Sequence, residues 1–374
     1  MSSGGRRGSA RGWVLLGLGV MVCTRASIGQ EPVNLETIRR TDFRSTIDRQ
    51  RVQAWVKQQL DELFSTETPL PAAGAFYLRM LVHFSASDAT TGFRDGLAEL
   101  VAEEFTSRYE AEAANPAKTH PIPCAVTLTV LRVYGSPAAL PCFKRAIKDP
   151  APGVRLAAAE GLLAGKIEAQ AWETLLSELQ KAAMEESDPL TLSRLYRVLT
   201  KNGGPPVDQV VTALLETLGA RFVRFEQKGE SPAMADAEAA TWLAGKFSGI
   251  NNARSRHDII RGIARLLADA VHAYLEPDAT TTGKRQLERV IAITEKQLKA
   301  IAKAPGNRTQ PNVTEVMFKG GEDRNEHMAT ACEEWIGTEA KAGFLNEQPF
   351  NFERGLSIKR AAPTTRPAPS PSGE

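Results

Sequence analysis

Asp323 and His327, four positions apart and close to Glu326, Glu333 and Glu334, are the first residues to test for chemistry. On a helix such a pair shares one face, so a carboxylate and an imidazole there are two ligands for zinc or another divalent ion, with a third to come from elsewhere. The spacing fits neither a His-Glu-x-x-His pair nor a calcium loop, and the pair reads first as a hydrated helix face on which an acid steadies a histidine. His257 and Asp258 are adjacent and would point about 100° apart on a helix, which does not make a base and its orienting acid. His83 and His272 lie beside apolar stretches and read as packing residues, and His120 falls in a proline-containing linker. No Gly-x-Ser-x-Gly elbow occurs, and nothing around Cys124, Cys142 or Cys332 points to a lowered thiol pKa.

The glycines do not form a phosphate cradle. Gly161, Gly165 and Lys166 are one residue too close for a P-loop, and Ile167 stands where a magnesium-binding hydroxyl belongs. Gly245 and Lys246 repeat that wording after Trp242 and Leu243, and both sets read as helix C-caps with a cation near the last turn. The sequence therefore yields no catalytic residue and no cofactor; a metal-dependent hydrolase using His327 is the competing reading. Arg254, Arg261 and Arg265 form a mainly basic stripe opposite Ile259, Ile263 and Leu266, suited to an acidic partner or to lipid headgroups. They are the candidate protein-binding residues. Asp258 and Asp269 dilute the stripe, and it has no aromatic ring on which a base would stack. Asn307 and Asn312 each open an Asn-x-Thr acceptor, which matters only in a eukaryotic secretory pathway.

Charge locates the basic character of the chain. Of 46 Lys and Arg against 44 Asp and Glu, four arginines (Arg6, Arg7, Arg11 and Arg25) lie in the first 29 residues, where no acid occurs. The remainder is nearly balanced, which argues against nucleic acid as a partner. The basic start, the apolar run from Trp13 to Val22 and the small residues Ser27 and Gly29 read as a signal peptide at 1–29, cleaved after Gly29. The run is shorter than the ~20 residues a membrane-crossing helix needs, so an uncleaved anchor is the alternative and the mature chain has no transmembrane segment. The expected location is periplasmic or extracellular, and peripheral envelope association or a structural envelope role stays open. Cys124 and Cys142 are either one disulfide or two buried thiols.

The elements that must position these residues are helices. Apolar residues recur every three or four positions in a region at 30–118: one long or broken helix from Leu35 to Phe64, one carrying Phe76, Met80 and Phe84, and one carrying Phe93, Leu97 and Phe105. After a linker from Thr119 to Pro123, short helices follow one another through 204, punctuated by Gly135, Pro150 and Gly165. A C-terminal helical region spans 205–350. In it, Phe222 to Phe225 either extend a helix or form a short strand, and the last helix runs from Glu322 to Ala342. The proline-rich tail at 351–374 has almost nothing apolar to bury and reads as extended or disordered.

Within 119–204, Asp149 and Pro150, then Val154 and Arg155, then Ala158, Ala159, Leu162 and Leu163 resemble the turn and second helix of the HEAT-like repeat family. A second Asp-Pro pair at Asp188 and Pro189 departs from that pattern at Leu192 and Ser193. The resemblance implies that Asp149 and Asp188 stiffen inter-helix turns, that Arg155 joins a ladder with acids of a neighbouring repeat, and that Ala158 and Ala159 allow close stacking. The fold class expected is all-α, an irregular HEAT-like antiparallel helical repeat (α-solenoid-like) domain with flanking helices. Its function would be that of an exported, non-enzymatic scaffold or protein-interaction module, with a protein partner that the sequence does not identify.

Overall fold

A computed structural model describes residues 34–43, 45–65, 69–113, 120–303, 309–321, 323–347 and 349–352. The leader with its cleavage site, Asn307, and the tail from 353 onward lie outside the described residues. All that follows concerns the unit that begins at Leu35.

The described residues form fifteen α-helices and no strand. The expected helix from Leu35 to Phe64 is two, α1 (Leu35–Thr41) and α2 (Thr46–Ser65). Asp42 separates them in a left-handed conformation (φ 61°), and its carboxylate accepts the Phe93 N–H at 3.0 Å and the Thr90 hydroxyl. Aspartate tolerates that backbone region better than a β-branched or bulky residue. Then come α3 (Pro69–Phe84), α4 (Thr91–Ala113) and α5 (Pro121–Tyr134). Pro121 and Pro123, read as linker from the sequence, open α5 instead, because a helix's first turn has no use for their missing N–H groups.

A 3₁₀ turn at Pro137–Ala139 leads into α6 (Leu140–Ala146), followed by α7 (Pro152–Ala164), α8 (Ala169–Glu185) and α9 (Pro189–Leu199). Helix α10 (Val207–Lys228) takes in Phe222 to Phe225, so the strand alternative falls, and Gly229 ends it at φ 65°. The remaining helices are α11 (Met234–Lys246), α12 (Ala253–Leu275), α13 (Thr281–Ile301), α14 (Val313–Lys319) and α15 (Arg324–Ile336). Helix α15 stops six residues before the expected Ala342, at Gly337 with φ 77°.

Some helices pack on a neighbour in sequence, but the pattern that organises the fold is packing on the helix after next. Helices α3, α5, α7, α9, α11 and α13 follow one another in one row. Helices α8, α10, α12 and α15 form a second row, with α2, α4 and α6 at its start; the α6 side chain of Lys144 reaches Thr174 and Glu178 on α8. Buried Leu, Ile, Val and Ala lie between the rows, around large side chains such as Phe76, Phe105, Tyr196 and Tyr274. Ala158 and Ala159 are fully buried on α7. Gly161 beside them has the Phe143 ring where a Cβ would sit, at 2.2 Å, so the absence of a side chain lets α6 close on α7.

Polar groups cross the turns between rows. Asp149 accepts the Ala151 N–H at 2.7 Å and the Tyr109 hydroxyl, and Asp188 caps α9 by accepting the Thr191 N–H at 2.8 Å. Arg155 grips Glu186 with two bonds of 2.7 Å. Arg221 donates to the Glu186 carbonyl and pairs with the fully buried Asp236, which also accepts from Tyr196. Buried Glu295 accepts the N–H groups of Val313 and Thr314 and the Trp335 indole, and so anchors the start of α14 to α13 and α15. The three buried acids among these, Glu186, Asp236 and Glu295, each accept on both carboxylate oxygens, the condition under which a charge tolerates burial.

Candidate functional site

The outward face of the first row carries an open groove of about 600 Å³ across three consecutive helices. Leu70, Gly74 and Tyr77 of α3, Ile122, Val126 and Thr129 of α5, and Gly153, Leu156, Ala157 and Glu160 of α7 line it. Late residues of the three helices meet one another, the Tyr134 hydroxyl of α5 donating to the Met80 carbonyl of α3 and Arg132 of α5 pairing with Glu160 of α7, so the helices run parallel. Its floor is made of small residues: Ala73, Gly74, Ala125, Gly153 and Ala157. Around Gly74 and Gly153 there is open space where a side chain would project. Apolar exposure continues from the groove along α3 and α5, through Leu70 (71% exposed), Leu78 (63%), Val82 (62%) and Val133 (40%). A contiguous, solvent-facing patch of this kind marks a contact surface far more often than a scattered exposed leucine does.

One end of the trough is charged. Glu160 is held between Arg132 of α5 and Arg194 of α9, the latter at 3.5 Å. One turn beyond Arg194 on the same face of α9, Arg197 is exposed and has no ion-pair partner among the described residues. Three arginines against two glutamates, Glu160 and the Glu238 that takes the Ser193 hydroxyl one turn before Arg197, leave this rim net positive. The Thr129 hydroxyl is taken up by the Ala125 carbonyl at 2.8 Å, so the trough walls present packing surface with few free hydrogen-bonding groups.

No protein-family model, curated protein or solved structure matches this chain. What the site does must therefore be read from its own residues.

The residues singled out from sequence fall elsewhere and are not brought together with the groove. Arg254 is exposed at the start of α12, Arg261 lies over the Phe352 ring at 5.6 Å, and Arg265 is engaged, pairing with Glu226 at 2.6 Å and covering the Phe222 ring at 4.8 Å. The stripe is thus not a uniform free surface, and replacing Arg265 would disturb packing as well as charge. Asp323 and His327 are exposed and linked through the backbone, the His327 N–H donating to the Asp323 carbonyl at 3.0 Å. Among the described residues no group of three or more His, Cys, Asp or Glu converges to hold a metal ion. Nor is any described helix long and apolar enough to cross a membrane.

Cys124, Cys142 and Cys332 are buried free thiols, which settles the disulfide alternative. Burial pushes the thiols of Cys142 and Cys332 up, away from thiolate reactivity. Gly165 does cap α7, in an extended conformation, but the cation serving the end of that helix is Lys201, which reaches the carbonyls of Leu162 and Gly165. Gly245 lies inside α11 and caps nothing; the helix passes at Lys246 into a 3₁₀ turn. Asn312 is the N-cap of α14, with its amide bonded to Glu315 and Lys299, so its side chain is structural. The tail boundary also moves: Phe352 is buried against His257 and Arg261, so the fold extends two residues past the expected start at 351.

The groove residues escaped a reading based on helical faces, because Leu70, Gly74, Leu156 and Ala157 lie opposite the faces that seal the core. The available signal was in α3, where only Arg79 and His83 interrupt sixteen otherwise apolar or small residues and Tyr77. A helix apolar all round needs cover on both sides.

Proposed function

We propose that this chain is an exported, non-enzymatic scaffold built of HEAT-like helical repeats, which holds a protein partner in the groove over α3, α5 and α7. The observation that carries this reading is the open apolar trough itself, together with the uncovered leucines and valines that prolong it. A repeat reading is supported by the way helices alternate between the two rows, with α3, α5, α7, α9, α11 and α13 each packing on the next of that row, as stacked helix pairs do. The Arg155–Glu186 pair, linking consecutive turns, is the contact that the family resemblance implies for the arginine. Stacked repeats leave a long outer face that needs no reacting group to be useful. Export rests on the leader, and its retention would tether the scaffold to a membrane.

Panning a displayed peptide library on the mature chain tests the reading. Gly74→Glu puts a charge into the trough at an exposed position with open space around it, so the fold survives. Selected peptides are expected to bind the wild type and to lose at least about tenfold in affinity, ~1.4 kcal/mol, for Gly74→Glu. Equal binding to both forms would overturn the assignment of the groove.

A further inference from the structure

Resting on the groove as the binding face, we infer that its occupant is an amphipathic helix of the partner, bearing aliphatic side chains on one face and an acidic residue where it passes the Arg132–Arg194–Arg197 rim.

Three features of the trough select a helix. Beyond their first turns the walls are helices whose backbone groups are bonded internally, and Thr129, the one hydroxyl that α5 presents, is already bonded. An extended segment lying there would find no edge to pair with and would leave desolvated N–H and C=O groups behind, whereas a helix brings its own hydrogen bonds. The floor of Ala and Gly allows a further helix axis to approach to the ~8–10 Å of ordinary helix packing. The rims of Leu70, Tyr77, Ile122 and Leu156 supply ridges for its side chains to enter between. Length agrees as well: residues from Gly153 to Glu160, and from Leu70 to Tyr77, cover two turns on each wall, about 11 Å, the span of aliphatic anchors at i, i+4 and i+7 of an occupant.

A second copy of this chain is a poorer occupant. A stable dimer buries about 800 Å² on each partner, far more than the strip offered by one trough two turns long. A free acyl chain is also poorly served, because the trough is open along its length and would leave much of the chain in water.

The rim gives the partner its polarity. Glu160 and Glu238 offset two of the three arginines, leaving the rim net positive. An acid on the occupant, one turn past its last aliphatic anchor, meets that surplus. A lysine in its place meets repulsion, so the rim sets the direction in which the helix lies.

The test uses lactam-stapled peptides of about 14 residues, since unstapled helices of that length are marginal in water. One carries Leu at i, i+4 and i+7 with Glu one turn beyond; a second replaces that Glu with Lys; a third has the composition of the first with its leucines spread around the helix. Dodecanoate is the lipid probe. The first peptide is expected to bind at least about tenfold more tightly than the second and third, to fail on Gly74→Glu, and to lose its advantage over the lysine peptide on Arg197→Glu. Arg197 has no partner to strand, so that variant keeps its fold, and a melting curve checks it. If the third peptide binds as well as the first, or if Arg197→Glu leaves the preference unchanged, the helix inference falls. Should panned peptides still depend on Gly74 in that event, the groove reading stands without it. Should nothing but dodecanoate respond to Gly74→Glu, both fall.

Discussion

Asp269 is the residue whose ionisation sets a measurable pH dependence. It lies on α12 with one carboxylate oxygen buried and without a hydrogen bond, and its nearest cation, Arg265 at 3.9 Å, is itself drawn to Glu226 of α10. Cys332 of α15 lies near enough to feel its charge. Burial raises its pKa from 3.8 to about 7, offset in part by Arg265. A folded-state pKa above the unfolded one means that the native chain binds the extra proton between those values, so stability rises as pH falls through that window. The slope is about 1.4 kcal/mol per pH unit near pH 5–6, and it fades above 7 and below 4. Urea melts of wild type and Asp269→Asn from pH 5 to 8 should show that slope in the wild type alone; identical slopes would remove the assignment. Arg221 behaves differently. Its partner Asp236 has no solvent exposure, so Arg221→Ala strands a buried charge and should cost about 3–5 kcal/mol, read as a lowered urea midpoint.

At the scale of elements, close approach is set by what side chains are missing. Gly161→Ala places a methyl inside the Phe143 ring and should destabilise by about 1–3 kcal/mol despite alanine's better helix propensity, whereas Gly74→Ala, in open space, should stabilise by up to about 1 kcal/mol. Thermal melts of the two variants check the contrast. Which stretches are helical was readable from sequence, because apolar spacing reports a core-facing stripe directly. Where helices stop was less so: Asp42 breaks the first one through a bond to the distant Phe93 N–H, and Pro121 begins α5 although prolines also mark linkers. The groove was the least legible. Its lining is shared among residues separated by as many as 90 positions, from Leu70 to Glu160, and each looks ordinary within its own helix.

Over the whole unit from Leu35, two rows of helices bury their facing sides against each other, and charged groups such as Arg155, Glu186, Arg221 and Asp236 tie successive turns together. The end of the first row differs from the rest. On α3, α5 and α7 the outer face is aliphatic, while on α9 it turns basic at Arg194 and Arg197. That gradient along one row is the basis for assigning binding to its beginning. The most direct test places a photoreactive side chain in the protein at Ala157, in the groove, and in a second sample at Thr241, exposed on α11 of the same row. Irradiation in the native compartment should give a single discrete adduct from position 157, abolished by Gly74→Glu, and none from 241. Adducts of equal yield from both positions, or an adduct at 157 that persists in Gly74→Glu, would contradict the account.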